Sequence, residues 1–433
     1  MRTGSVSLPL LLSLSCVSAG CDSRPRTQDP PEFRASRPVA GERASGRADT
    51  VEIGRAIFLD EQLSLNRNQS CAACHAPEFG FTGPDTALNA RGAVYRGSIP
   101  TRFGNRKPPS SAYATLSPVL ERRTRRGETA WSGGNFWDGR ATGRKLGSAA
   151  ADQAQGPFLN PVEQALPDAA CVVYRVSRAS YSDRYVEAFG NDIRNIRFPA
   201  NTDELCSTEN TTVPLSPQDR RAVEEEFGRI AIAIATFEGS PLMSPFSSRF
   251  DAWRAGTAKL TDEEALGFAL FQGKAKCVDC HTIEGERAAF TDFSFENVGV
   301  PANPDNPVYA HQPDFVDVGL GSTVKDTAQD GKHKVATLRN VDRRPSPDAQ
   351  KAYMHNGFFK NLETVVHFYN TRDVLPQCER VALPEAGVNC WPKPEVARNV
   401  NRTSTGNLGL TPAEEAALVA FLRTLSDGYE RQR

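Results

Sequence analysis

Two short segments carry side chains whose types and spacing can do chemistry. Cys71-Ala-Ala-Cys74-His75 and Cys277-Val-Asp-Cys280-His281 each set two thiols three positions apart, with an imidazole directly after the second. This is the attachment pattern of a c-type haem. The thiols add across the haem vinyl groups and fix the porphyrin covalently, and the histidine is then placed beneath the iron as its proximal ligand. On this reading Cys71 and Cys74 hold one haem with His75 on its iron. Cys277 and Cys280 hold the other, with His281 on its iron. Zinc ribbons also use two Cys-x-x-Cys pairs, but set them about 15–20 residues apart, far closer than these. A thioredoxin-type redox pair needs one motif inside a βαβ pattern, which is absent here.

The far side of each iron decides between electron conduction and catalysis. After His75 no histidine follows until His281, and no methionine until Met243. The first iron is therefore expected to be five-coordinate or water-bound, which peroxide activation requires. The second half is richer, with His311, His333, Met354, His355, His367 and Tyr369. One of these is expected to close the second iron.

The elements that position the motifs come in two copies. Gly54 to Phe58, the first motif and Phe81-Thr82 are matched by Gly267 to Phe271, the second motif and Phe290-Thr291. Each copy ends in a further helix, one after Ser216-Pro217 running to Phe237, one after Thr411-Pro412 running to Leu425. Ser or Thr at the cap with Pro at the first helical position is a strong helix start. Apolar residues recur at helical spacing in both. The expected boundaries are an N-terminal domain over 48–245 and a C-terminal domain over 246–433. Residues 85–165 and 292–350 are rich in Gly, Pro, Asn and Arg and read as long irregular wraps. Arg122-Arg123-Thr-Arg125-Arg126 falls in such a wrap, as a solvated face or as a docking patch for an acidic redox partner.

The 433 residues carry a net charge of −1, so no global field draws nucleic acid or an anionic membrane. Residues 1–20 read as an export signal: Arg2, an apolar run to Val17, then small residues before Cys21. Ala-Gly-Cys also fits a lipoprotein signal with Cys21 acylated; ordinary cleavage after Ala19 is the alternative. Either way the chain is bound for the periplasm. Residues 21–47 lack large apolar side chains and read as a flexible tether, with structure expected near Thr50. Of the 10 cysteines, Cys171, Cys206, Cys378 and Cys390 remain after the signal, Cys21 and the motifs are set aside. In an oxidising compartment local pairing, Cys171–Cys206 and Cys378–Cys390, is the economical choice.

At this point the chain resembles the bacterial di-haem cytochrome c peroxidase family, and within it the MauG-like branch. The resemblance rests on the two motifs and on three further stretches. These are Phe136-Trp137-Asp138-Gly139-Arg140; Gln153 to Pro157 leading to Asn160-Pro161-Val-Glu163; and Thr337 to Val341 leading to Tyr353-Met354-His355-Asn356-Gly357. It implies a mainly α, loop-rich fold of two cytochrome-c-like domains, each binding one covalently attached c-type haem. Trp137 matches the tryptophan that relays electrons between the haems. Glu163 and Gln153 match the polar pair above the open haem, where a carboxylate can take a proton from peroxide and return it to the leaving oxygen.

Three departures refine the expectation. The stretch that holds a distal histidine in ordinary members, here Ala87 to Gly92, has none. Tyr369 stands where ordinary members place an axial methionine, and MauG-like members use tyrosine there. Lys107 replaces an asparagine of the family's calcium site, which argues against calcium. The resemblance thus implies reduction of hydrogen peroxide with electrons from a small cytochrome c or cupredoxin. The alternatives are oxidation of a Tyr or Trp on a partner protein, and a non-enzymatic di-haem electron-transfer cytochrome.

Overall fold

The computed structural model describes residues 44–125, 128–379 and 386–430. The export signal, Cys21, and the tether up to residue 43 lie outside the described residues. Helix α1 (Ala44–Leu59) begins earlier than the expected start near Thr50, so its first turns take in the end of the proposed tether.

In the first half, α1, α2 (Ala149–Leu159) and α3 (Ala169–Val176) all pack on α4 (Pro217–Glu238), the long helix at the centre. The Ser-Pro start is realised: the Ser216 side chain accepts from the Asp219 amide and Pro217 opens the helix. In the second half, α5 (Arg249–Arg254) precedes α6 (Asp262–Gln272), which packs on α8 (Pro412–Arg423). Helix α7 (Leu362–Thr371) also rests on α8. Thr411 caps α8 in a box with Glu414, and the helix stops at Arg423, short of Leu425.

Each half has its own apolar core. One is built from residues between Ile53 and Met243, the other from residues between Phe250 and Leu425. The repeat is visible in how the helices cross. A methyl on Gly54 would overlap the Ala233 carbonyl, and one on Gly267 would overlap the Ala417 carbonyl. Each glycine lets two helix backbones touch. Phe237 and Phe421 flank these crossings at matching places.

The wraps are less irregular than expected. Strands β1 (Glu121–Arg125) and β2 (Glu128–Ser132) form an antiparallel hairpin with Arg122 opposite Trp131. The basic run thus lies on a strand; Arg122 and Arg123 are exposed, Arg123 pairs with Glu121, and Arg126 is outside the described residues. A bridge from Ser132 to Ser294 leads to β3 (Phe295–Glu296), which pairs with β4 (His333–Lys334). Helix α2 also falls in this supposedly irregular stretch. Ser148 caps it, its side chain accepting from the Ala151 amide, and Pro157 sits in its last turn. Cys171–Cys206 and Cys378–Cys390 are disulfide-bonded. Among the described residues no helix is long and apolar enough to cross a membrane.

Candidate functional site

Both motifs open onto one cavity of about 480 Å³. Cys71, Cys74, His75, Cys277, Cys280 and His281 all line it, and the four thiols are unpaired. Burial pushes Cys74 and Cys277 up to about 12, and raises Cys71 and Cys280 as well. Such surroundings disfavour a thiolate, as zinc ligation or redox catalysis would need. They suit the uncharged sulfur of a thioether.

The Phe-Thr closure of each copy has a specific task. His75 Nδ1 donates to the Phe81 carbonyl at 3.0 Å, and His281 Nδ1 donates to the Phe290 carbonyl at 2.8 Å. Phe81 and Phe290 take positive φ angles of 60° and 53°, which turns each carbonyl back to its imidazole. The adjacent threonines lock the loops: Thr82 Oγ1 donates to Pro108 O, and Thr291 Oγ1 to Val335 O. Burial lowers both imidazoles' affinity for a second proton. Each Nε2 is therefore left as a lone pair, oriented as a metal ligand should be.

The two ends of the cavity differ. At the first, α2 carries Gln153, and the turn that ends this helix carries Glu163; both face the cavity. Asn160 Nδ2 donates to Glu163 Oε1 at 2.8 Å. Burial raises the Glu163 carboxyl, while Arg140 and Asn160 pull it back. Its charge in turn raises Cys71 and Cys74, which puts it beside the first motif. At the second end, α7 points Tyr369 into the cavity next to Cys277 and Cys280. Burial raises its phenol, and among the described residues its hydroxyl has no hydrogen-bond partner.

The rival ligands separate on sight of the geometry. His367, two positions before Tyr369, turns away and bonds the Glu415 carboxylate at 3.1 Å. His311 is exposed. Met354 lines the cavity. His333 and His355 stack at 3.5 Å, with Asp317 beside them. The Nε2 atoms of both are buried; that of His333 lies 3.3 Å from Asp317 Oδ1 and that of His355 3.8 Å from Glu395 Oε2. Sequence reasoning missed this stack, because nothing local brings residues 333 and 355 together.

Trp137 lies between the halves. Its Nε1 donates to Lys107 O at 2.7 Å, and its carbonyl accepts from the Lys334 amide at 2.9 Å. Lys107 in turn donates its amide to His355 O. The Lys107 ammonium, brought down to about 8 by burial, reaches Thr82 Oγ1 at 2.8 Å and Pro108 O. A cation thus already stands among these oxygens.

Known proteins share this plan. Residues 48–259 match the family described as di-haem cytochrome c peroxidase (CCP_MauG). The methylamine utilization protein MauG of Paracoccus denitrificans is 34% identical over 402 residues, 90% of this chain and 92% of that protein. Cytochrome c551 peroxidase of Nitrosomonas europaea is 27% identical, covering 84% of this chain and 83% of its own. The crystal structure of the diheme peroxidase BthA from Burkholderia thailandensis superposes with a TM-score of 0.67 at 28% identity, over 87% of this chain and 86% of that one. The chain belongs to the di-haem cytochrome c peroxidase family, and with that membership come two c-type haems and their irons.

Proposed function

We propose that the chain is an exported enzyme that reduces hydrogen peroxide at the haem held by His75, with MauG-like ligation at the second haem. Cys71 and Cys74 would hold the first haem, and Cys277, Cys280 and His281 the second, one in each domain. The residues fit these groups: two imidazoles with proton-free Nε2 atoms and four neutral sulfurs belong to residues that line one cavity. When bound, the first haem would supply an iron able to take up peroxide.

The protein's part is proton handling and electron routing. Glu163, held by Asn160, takes a proton from the bound oxidant and returns it to the leaving oxygen. Gln153 orients the oxidant by hydrogen bonding. Tyr369 would hold the second iron, and Trp137 connects the two halves. Electrons come from a small periplasmic cytochrome c or cupredoxin.

The observation that carries this reading is the asymmetry of the cavity: at one motif a half-buried carboxyl raised by desolvation, at the other a half-buried phenol that faces the cavity with no hydrogen-bond partner among the described residues. It speaks against a simple di-haem wire. The kinship with MauG supports a second reading, oxidation of a Tyr or Trp on a partner protein at the same site.

Replacing Glu163 with Gln tests the assignment. Peroxide consumption is expected to fall by about a hundredfold, the usual scale of a lost acid–base group, with haem content unchanged. Because burial raises this carboxyl, the wild-type rate should drop at an acid limb above the ordinary carboxylate range, and Glu163→Gln should abolish that limb. Undiminished turnover in the variant sinks the assignment.

A further inference from the structure

A second buried acid–base pair meets the cavity through its tyrosine, and peroxide cleavage leaves it unused. Tyr113 is 2% exposed and Asp427 8% exposed. The Tyr113 hydroxyl donates to Asp427 Oδ2 at 2.7 Å and accepts from the Phe246 amide at 3.0 Å. Asp427 also accepts from Asn340 Nδ2 at 2.7 Å and from the Ser247 amide at 3.0 Å. Four tyrosines line the cavity: Tyr95, Tyr113, Tyr353 and Tyr369. The Tyr95 hydroxyl accepts from the Asp85 amide at 2.7 Å and donates to the Asn89 amide oxygen at 3.2 Å or the Asp85 carbonyl at 3.4 Å, with no carboxylate to take its proton. Tyr353 stands 3.2 Å from Asp342, a carboxylate already bound by Arg344 and Arg423. Tyr369 is the proposed iron ligand. Tyr181 and Tyr185 also meet carboxylates, but away from the cavity.

Tyr113 is also wired to the first motif. The Phe81 carbonyl that accepts from His75 Nδ1 accepts at 3.0 Å from the Ser111 amide as well, two residues before Tyr113. The Arg339 guanidinium lies 5.8 Å from the Tyr113 ring, but Asp251 neutralises it.

We infer that Tyr113, with Asp427 as its proton acceptor, is a redox relay that gives one electron to the His75 haem after peroxide has oxidised it. The inference rests on the peroxide reading proposed above. The Tyr113 O–H bond breaks and its proton forms an O–H bond on Asp427 Oδ2. The electron passes to the oxidised haem, which is reduced by one electron. A neutral tyrosyl radical remains until the external donor or a partner residue refills it. Burial and the neighbouring carboxylate make loss of the proton alone unfavourable. Electron and proton therefore leave together.

The test is freeze-quench electron paramagnetic resonance of the ferric holoprotein mixed with one equivalent of hydrogen peroxide, with the haem absorption followed in parallel. A tyrosine-type radical is expected, narrowed when the protein carries ring-deuterated tyrosine. It should vanish in Tyr113→Phe. It should fall at least about tenfold in Asp427→Asn, which keeps the phenol and removes the base. A haem that responds to peroxide while the signal survives in Tyr113→Phe, or while no tyrosine signal forms, overturns the relay alone. A haem that does not respond to peroxide overturns the peroxide reading and the relay with it.

Discussion

Tyr369 is held where burial penalises its phenolate, with no hydroxyl partner to relieve it. A neighbouring metal cation reverses that balance, because its charge favours the deprotonated oxygen. An anionic oxygen ligand stabilises the oxidised iron and lowers its potential. Replacing Tyr369 with Phe should therefore raise the reduction potential of the second haem and alter its ferric spectrum. Spectroelectrochemistry reads both, and an unchanged potential removes Tyr369 from the iron. At this scale the sequence was informative where chemistry is local. The motif thiols and imidazoles declare themselves by spacing. Glu163, Gln153, Trp137 and Tyr369 came instead through the resemblance, and the structure places all four on the cavity wall. The His333–His355 stack and the Tyr113–Asp427 pair were illegible, since each joins residues distant in the chain through packing alone.

The elements owe their placement to a few close approaches. Helices α1 and α4 meet at Gly54, and α6 and α8 at Gly267, with backbone carbonyls where any side chain would stand. Gly267→Ala should force these helices apart and cost about 1–3 kcal/mol, the range of an overpacked core. Thermal unfolding of the holoprotein measures the cost. Unfolding at the wild-type temperature would mean that the crossing yields without strain. The helix starts at Ser216-Pro217 and Thr411-Pro412 were readable because caps are local chemistry. Helix α2 and the hairpin of β1 and β2 were not. The helix is built on Ala149, Ala150 and Ala151, which give little periodic contrast, and the hairpin carries arginines rather than an alternating apolar face.

At the scale of the molecule, the two halves are joined by polar pins as well as by the cavity. Arg106 from the first half grips Asp317 at 2.6 Å, and the buried Lys351 ammonium donates to Phe79 O on one side and Asn340 O on the other. Trp137 stands among these pins, tied to Lys107 and to Lys334. If it relays electrons, Trp137→Phe should leave both haems attached and slow the response of the second haem to peroxide. Stopped-flow absorbance reads that response, and an unaltered rate assigns the relay elsewhere. The repeat announced a two-part plan in the sequence, but the pins that fix one part against the other lie in the wraps, where no periodicity marks them.

Peroxide chemistry at the His75 haem requires the two irons to be unequal. Electron paramagnetic resonance of the resting ferric holoprotein measures it directly. One high-spin signal from the haem at His75 and one low-spin signal from the haem at His281 and Tyr369 is the predicted result. Two low-spin signals, with every coordination position filled by the protein, would contradict it.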